Sequence, residues 1–267
     1  MPFFQYNDVK LHYVDVDYRN DKTQGISLLF VHGAGSSHIA WALQLKEFSK
    51  SHRTIAIDLS GHGKSESITG EASIDEGYTH EINALIKHLN LDEFILVAHS
   101  MGGGIAMSYV LHKETTNPKA MVLVDTSPDL ELSKLATGLV KEAVDDRIYF
   151  LRNKRFEDCD NTYKLKRYED ELRNAHPGIM QRDLLACNKF DITDRVHEIN
   201  IPTFVIVGEH DDIIPPQVAY DFEKRIPHSD IAVVRNANHS PMIEQPDEFN
   251  RLLRKFITWA ENNNQTS

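Results

Sequence analysis

Val9, Leu11 and Tyr13 alternate with Lys10, His12 and Val14, which predicts an antiparallel strand with one half-buried face. From residue 26 the pattern changes. Ile26–Val31, Thr54–Ile57, Phe94–Ala98, Ala120–Val124, Thr203–Val207 and Ile231–Val234 are short apolar runs without alternation. Strands of that kind are buried on both faces, as in a parallel sheet covered by helices. Helical patterns lie between the runs. Ser73 and Glu76 are spaced as a capping box, and Tyr78, Ile82, Leu85, Ile86 and Leu89 then fall on one helical stripe.

Strand and helix alternate to about residue 127 and again from about residue 201. The stretch from Pro128 to Asn200 is helical in pattern, rich in mixed charge and free of strand-like runs. The expected architecture is therefore α/β, a doubly wound, mostly parallel sheet formed by residues 1–127 and 201–267, with residues 128–200 inserted as a helical cap. The insertion follows a strand that ends in Asp125-Thr126-Ser127-Pro128, which places it over the C-terminal edge of the sheet, where ligands bind. Its charged positions read as mostly solvated surface. The polar tail Glu261–Ser267 is expected to fray.

The composition narrows the function. The 267 residues carry 29 Lys plus Arg against 40 Asp plus Glu, a formal charge of −11. An acidic balance argues against a nucleic-acid partner, since phosphate binding needs a basic face. It also disfavours polyanionic substrates. Two cysteines, Cys159 and Cys187, make no disulfide framework and point to a reducing compartment. The N-terminus shows no secretory pattern, and runs such as Leu28–Val31 fall far short of the roughly 20 residues of a membrane span. A cytoplasmic protein with no membrane partner is expected.

Chemistry concentrates at strand ends. In Phe94–Ala106 a buried strand runs into Ser100, flanked by small residues at Ala98 and Gly102, and then into a helix. A turn that tight tolerates only small side chains two residues before and after the serine. It projects the hydroxyl above the sheet, beside a helix N-terminus that favours negative charge. A helix N-cap serine followed by packing glycines would look similar. An earlier strand ends in the Gly-rich loop His32-Gly33-Ala34-Gly35. Asp58 opens a glycine turn and reads as a structural residue. Asp211 and Asp212 lie just past the Thr203–Val207 run, and His239 lies past the last strand, one of 14 histidines singled out by that position. His210, Asp211 and Asp212 are adjacent along a loop and do not converge on one ion, so no metal is expected there.

The order of Gly-rich loop, elbow serine, late aspartate and final histidine resembles the α/β-hydrolase superfamily, from about residue 9 to Trp259. The chain looks most like small esterases with a helical cap. Ala98 stands where the elbow of the family has its first Gly. By that resemblance Ser100 is the nucleophile, His239 the general base and Asp211 the orienting acid. The backbone N–H groups of Ala34 and Met101 form the oxyanion hole, and no metal or organic cofactor is needed. Trp41 itself reads as packing beneath the oxyanion loop, with a place in the substrate pocket as the alternative. Asp125 and Asp212 are the alternatives to Asp211. Serine at the elbow excludes the aspartate nucleophile of dehalogenases and epoxide hydrolases of this fold.

The resemblance implies a small-molecule carboxylic ester as substrate. A lactone, such as an acyl-homoserine lactone, is the near alternative, and carbon–carbon bond hydrolysis of ring-cleavage products a further one. Hydrolases of that last group carry a Ser-bearing loop after the first His-Gly, where this chain has Ala34-Gly35-Ser36. A ligand receptor on the same fold is the alternative outside enzymology.

Overall fold

The computed structural model describes residues 2–21, 25–112, 115–131 and 177–263. Among them eight strands form one sheet: β1 (Phe3–Tyr6), β2 (Val9–Val16), β3 (Ser27–Val31), β4 (Thr54–Ile57), β5 (Phe94–His99), β6 (Ala120–Val124), β7 (Thr203–Gly208) and β8 (Ser229–Val234). Their spatial order is β1-β2-β4-β3-β5-β6-β7-β8. β2 pairs antiparallel with β1 and β4, and every other neighbouring pair is parallel.

Successive residues of the central strands serve opposite cores. Leu29, Val31, Leu96 and Ala98 belong to one, with Ile82 and Ile105; Leu28, Phe30, Ile95 and Val97 belong to the other, with Trp41 and Phe249. This two-sided burial is why the runs are continuously apolar. The first core is covered by α2 (Thr79–Leu89) and α3 (Met101–Leu111). The second is covered by α1 (Ala42–Phe48) and the C-terminal helix Pro246–Asn263, whose Phe249, Leu253, Phe256, Ile257 and Ala260 form one buried stripe. The Ser73 hydroxyl accepts the Glu76 N–H at 3.2 Å, as the capping pattern predicts. The turn after it is wide: the Thr79 N–H reaches back to the Ile74 carbonyl before α2 begins.

Two expectations need correction, and one strand lies outside the sequence reading. The Ile231–Val234 run is not buried on both faces. It belongs to β8, an edge strand paired only with β7, and only Val234 is buried. β1 was not anticipated, because four residues are too few to show a period. In β2, His12 was assigned to the exposed face but is 0% exposed. Of the predicted cap, residues 132–176 lie outside the described residues. The rest includes a helix, α4 (Pro177–Cys187), and an antiparallel bridge between Asp129 and Asp191. No helix among the described residues is long and apolar enough to cross a membrane.

His12 is buried because of Asp58, which follows β4. Asp58 Oδ1 accepts the backbone N–H and Nδ1–H of His38 at 2.7 and 2.8 Å. Its Oδ2 accepts His12 Nδ1–H at 2.7 Å and the Lys64 N–H at 3.0 Å. Four donors fill the acceptor sites of a carboxylate. Although burial opposes it, these bonds hold the Asp58 carboxyl far below the usual carboxylate range. Asp58 thus pins β2, the helical turn His38–Trp41 and the glycine turn to one point. A depressed pKa gives stability that is present above the unfolded value and lost as pH falls. Asp58→Ala strands the two imidazoles, a change on the order of 3–5 kcal/mol for a buried pair. Its Tm at pH 7 is expected to fall by about 10 °C. A variant melting with the wild type would refute the pinning role.

The chain leaves β3 for β4 on one side and returns to β5 on the other. The crevice at the carboxyl ends of β3 and β5 is therefore a topological switch point, the preferred ligand position in such sheets.

Candidate active site

Ser100 stands in that crevice between β5 and α3, with φ 53° and ψ −121°. A non-glycine residue there costs about 1–3 kcal/mol and persists only where its surroundings impose it. Here they do. The Ser100 N–H donates to the Val124 carbonyl at 2.9 Å, and the Ser100 carbonyl accepts the Gly103 N–H and the Thr126 hydroxyl, both at 2.8 Å. Gly102 is the position where a side chain has no room: a Cβ would stand 2.6 Å from the His32 carbonyl oxygen. The small residue after the serine is thus required by the approach of α3 to the end of β3.

His239 lies between β8 and the short helix Pro241–Glu244. Its Nε2 is 3.0 Å from Ser100 Oγ, and its Nδ1 donates to Asp211 Oδ2 at 2.8 Å. The other oxygen of Asp211 accepts the N–H groups of Ile213 and Ile214 at 2.9 and 3.0 Å. Ser100 is half-buried, while His239 and Asp211 are buried. Of the two other aspartates weighed, Asp212 is exposed. Asp125 is buried beside Asp211 and accepts the Gly208 N–H at 2.8 Å. Burial first, and then the Asp211 carboxylate, push the Asp125 carboxyl well above the usual range. Asp211 accepts three N–H groups, whereas Asp125 accepts the Gly208 N–H.

The Gly-rich loop abuts the serine: a Cβ on Gly33 would be 3.0 Å from that of Ser100. Ala34 follows in this loop, and Met101 opens α3, where a backbone N–H has no acceptor within its own helix. Trp41 is fully buried against Phe30, Phe249 and the edge of His99. It belongs to the second core and, being fully buried, does not line the crevice.

Two anchors were not foreseen. The Glu244 carboxylate accepts the N–H groups of Asn238 and Ser240 at 2.7 and 3.1 Å, which fixes the His239 loop from both sides. An acid in the first turn after Ser240-Pro241 was the available signal. Asp183, in the charged stretch read as solvated, is 0% exposed and accepts the Gly35 N–H. As to metals, among the described residues His12, His38 and Asp58 place three ligand atoms within 4.8 Å of one another. The carboxylate there is already saturated by N–H donors, so hydrogen bonding accounts for the cluster.

A family model described as the alpha/beta hydrolase fold matches residues 26–246. The chain belongs to the α/β-hydrolase family. Among curated relatives, this α/β-hydrolase is 26% identical to an AB hydrolase superfamily protein, YisY, of Bacillus subtilis, over 92% of this chain and 98% of the relative. It is also 26% identical to a 2-hydroxy-6-oxo-6-(2'-aminophenyl)hexa-2,4-dienoic acid hydrolase of Metapseudomonas resinovorans, over 88% of this chain and 85% of that one. A solved thermophilic esterase superposes with a TM-score of 0.78 at 27% identity, covering 97% of each chain.

The Asp125 environment gives a stability prediction for the α/β-hydrolase. A carboxyl whose folded pKa is raised is penalised increasingly as pH rises above its unfolded value, because only the unfolded chain ionises freely. Asp125→Asn removes that penalty and keeps an acceptor for Gly208. Thermal melts at pH 4, 6 and 8 should show the variant gaining on the wild type with rising pH. An Asn variant equally weakened at every pH would mean that Asp125 is charged in the folded protein.

Proposed function

We propose that this α/β-hydrolase cleaves small carboxylic esters through an acyl-enzyme on Ser100. The observation that carries the reading is the hydrogen-bonded chain from Ser100 Oγ through His239 to Asp211. Ser100 is a poor nucleophile until its proton leaves. As its Oγ bonds to the substrate carbonyl carbon, His239 Nε2 takes that proton, and the carbonyl electron pair moves onto oxygen. The N–H groups of Ala34 and Met101 receive this oxyanion, donors of a kind worth about 10²–10³ each in rate. Asp211 holds the imidazole with Nε2 as acceptor and stabilises the imidazolium that forms. On collapse the alcohol leaves with the proton from His239. A water then attacks the acyl carbon, gives its proton to Nε2, and the acid departs as Ser100 Oγ recovers its own.

Residues 128–200 would cover the crevice as a cap and set substrate size. A lactone opens by the same steps, so it belongs beside linear esters in the assay. The acidic chain favours uncharged, partly apolar substrates.

The test is turnover of p-nitrophenyl esters, a lactone and a ring-fission dienoic acid, with single-residue controls. Ser100→Ala should lower kcat by about 10⁴ or more and abolish labelling by a fluorophosphonate. Asp211→Asn should lower kcat by up to about 10⁴, while Asp125→Asn stays active. The rate should fall toward acid pH, where a protonated imidazole accepts nothing. A Ser100→Ala protein with more than a few per cent of the wild-type rate would sink the covalent mechanism. Saturable binding of these compounds without turnover would favour a receptor.

A further inference from the structure

Asp183 is a fully buried carboxylate on α4, far along the chain from everything it touches. Its Oδ2 accepts the Gly35 N–H and His62 Nε2–H, both at 2.7 Å, across 148 and 121 residues of sequence. Its Oδ1 accepts the Tyr78 hydroxyl at 2.6 Å across 105. A charge without water is tolerated only when donors and a countercharge replace the water. The countercharge follows from hydrogen-bond bookkeeping. His62 Nδ1 is 3.1 Å from the Ser60 carbonyl and Nε2 faces Asp183, so both ring nitrogens meet acceptors and both carry hydrogen. His62 is an imidazolium. Although burial opposes it, the charge of Asp183 raises its pKa. Burial likewise opposes the ionised form of Asp183, yet His62 and the other donors hold its carboxyl below the usual value.

His32 lies 4.8 Å from His62, ring to ring, and is its neutral counterpart. Its Nδ1–H donates to the Gly33 carbonyl at 2.8 Å, and its Nε2 accepts the Leu59 N–H at 3.2 Å. Burial and the charge of His62 push its pKa down to about 4. The two contacts bracket one residue. The Gly33 carbonyl and the Ala34 N–H belong to the same peptide group, which His32 holds by its oxygen. The Gly35 N–H belongs to the next peptide group, which Asp183 holds by its nitrogen. Ala34, the proposed oxyanion donor, sits between two fixed planes. Gly35 has φ +61°, and any side chain on it would run into Met180, which is one turn before Asp183 on the same helix.

From this we infer that Asp183 is the positioning residue of the oxyanion loop, aiming the Ala34 N–H and coupling it to the helix that closes the proposed cap. The inference rests on the reading of Ser100 as nucleophile. It assigns the buried acid to transition-state geometry and not to substrate affinity.

The first measurement uses wild-type protein, by NMR. The Gly35 amide should be shifted downfield by its carboxylate partner and protected from hydrogen exchange. A Gly35 amide that exchanges like an exposed loop overturns the inference, and this readout does not depend on any variant folding. The second uses Asp183→Asn, which keeps the shape and removes the charge. On p-nitrophenyl butyrate its kcat should fall about 10²-fold with KM within threefold, and phosphonate capture by Ser100 should slow in parallel. A variant with lowered Tm but unchanged kcat and capture rate makes Asp183 merely structural and overturns the proposal. If wild-type protein neither turns over the ester nor takes the phosphonate at Ser100, the hydrolase reading falls and this inference with it. If the wild type does both while Asp183→Asn matches it, only this inference falls.

Discussion

The site depends on one close approach. The first turn of α3 meets the end of β3 so tightly that Gly102 has no space for a methyl group beside the His32 carbonyl. Two residues earlier the chain passes through positive φ at Ser100, where Val124, Gly103 and Thr126 hold it. It also sets the Gly33–Ala34 loop against the serine. Ser100 and the Gly33–Ala34 loop, the proposed nucleophile and oxyanion loop, thus meet where two strands and one helix converge.

Around this point the protein buries several carboxylates, and three of them are saturated with donors. Asp58 takes four N–H donors, Asp211 takes three, and Asp183 takes three with a countercharge. Glu81 shows the alternative. It accepts the Ser60 N–H at 2.8 Å, and burial raises its carboxyl to about 7. A buried acid with few donors keeps its proton, and one with many gives it up. Asp125, which accepts the Gly208 N–H, follows the first half of that rule.

How much of this was legible follows from the range of each interaction. The central strands were readable because burial on both faces leaves a local mark, an unbroken apolar run. Ile231–Val234 carried that mark and misled, since the composition of β8 does not say that it lies at an edge. Ser100, Asp211 and His239 were readable because each sits just past a strand, with small residues or turn formers beside it. Asp183 was not. Its neighbours Gln181 and Arg182 make it look like solvated surface, and its partners lie more than 100 residues away. His12 was misassigned for the same reason: the carboxylate that buries it lies 46 residues on. Local punctuation predicts where a reactive side chain sits; it does not predict what holds the backbone around it.

The order of these segments bears on synthesis. The serine is made early, and its elbow needs only β3, β5 and β6 to form. The acid arrives after β7, and the histidine only with the last loop before the terminal helix. On the proposed mechanism, a chain still emerging from the ribosome therefore carries the hydroxyl without the base that would arm it. That mechanism would withhold reactivity until the sheet has received its final strand, so that the finished fold and the proposed nucleophile are completed together.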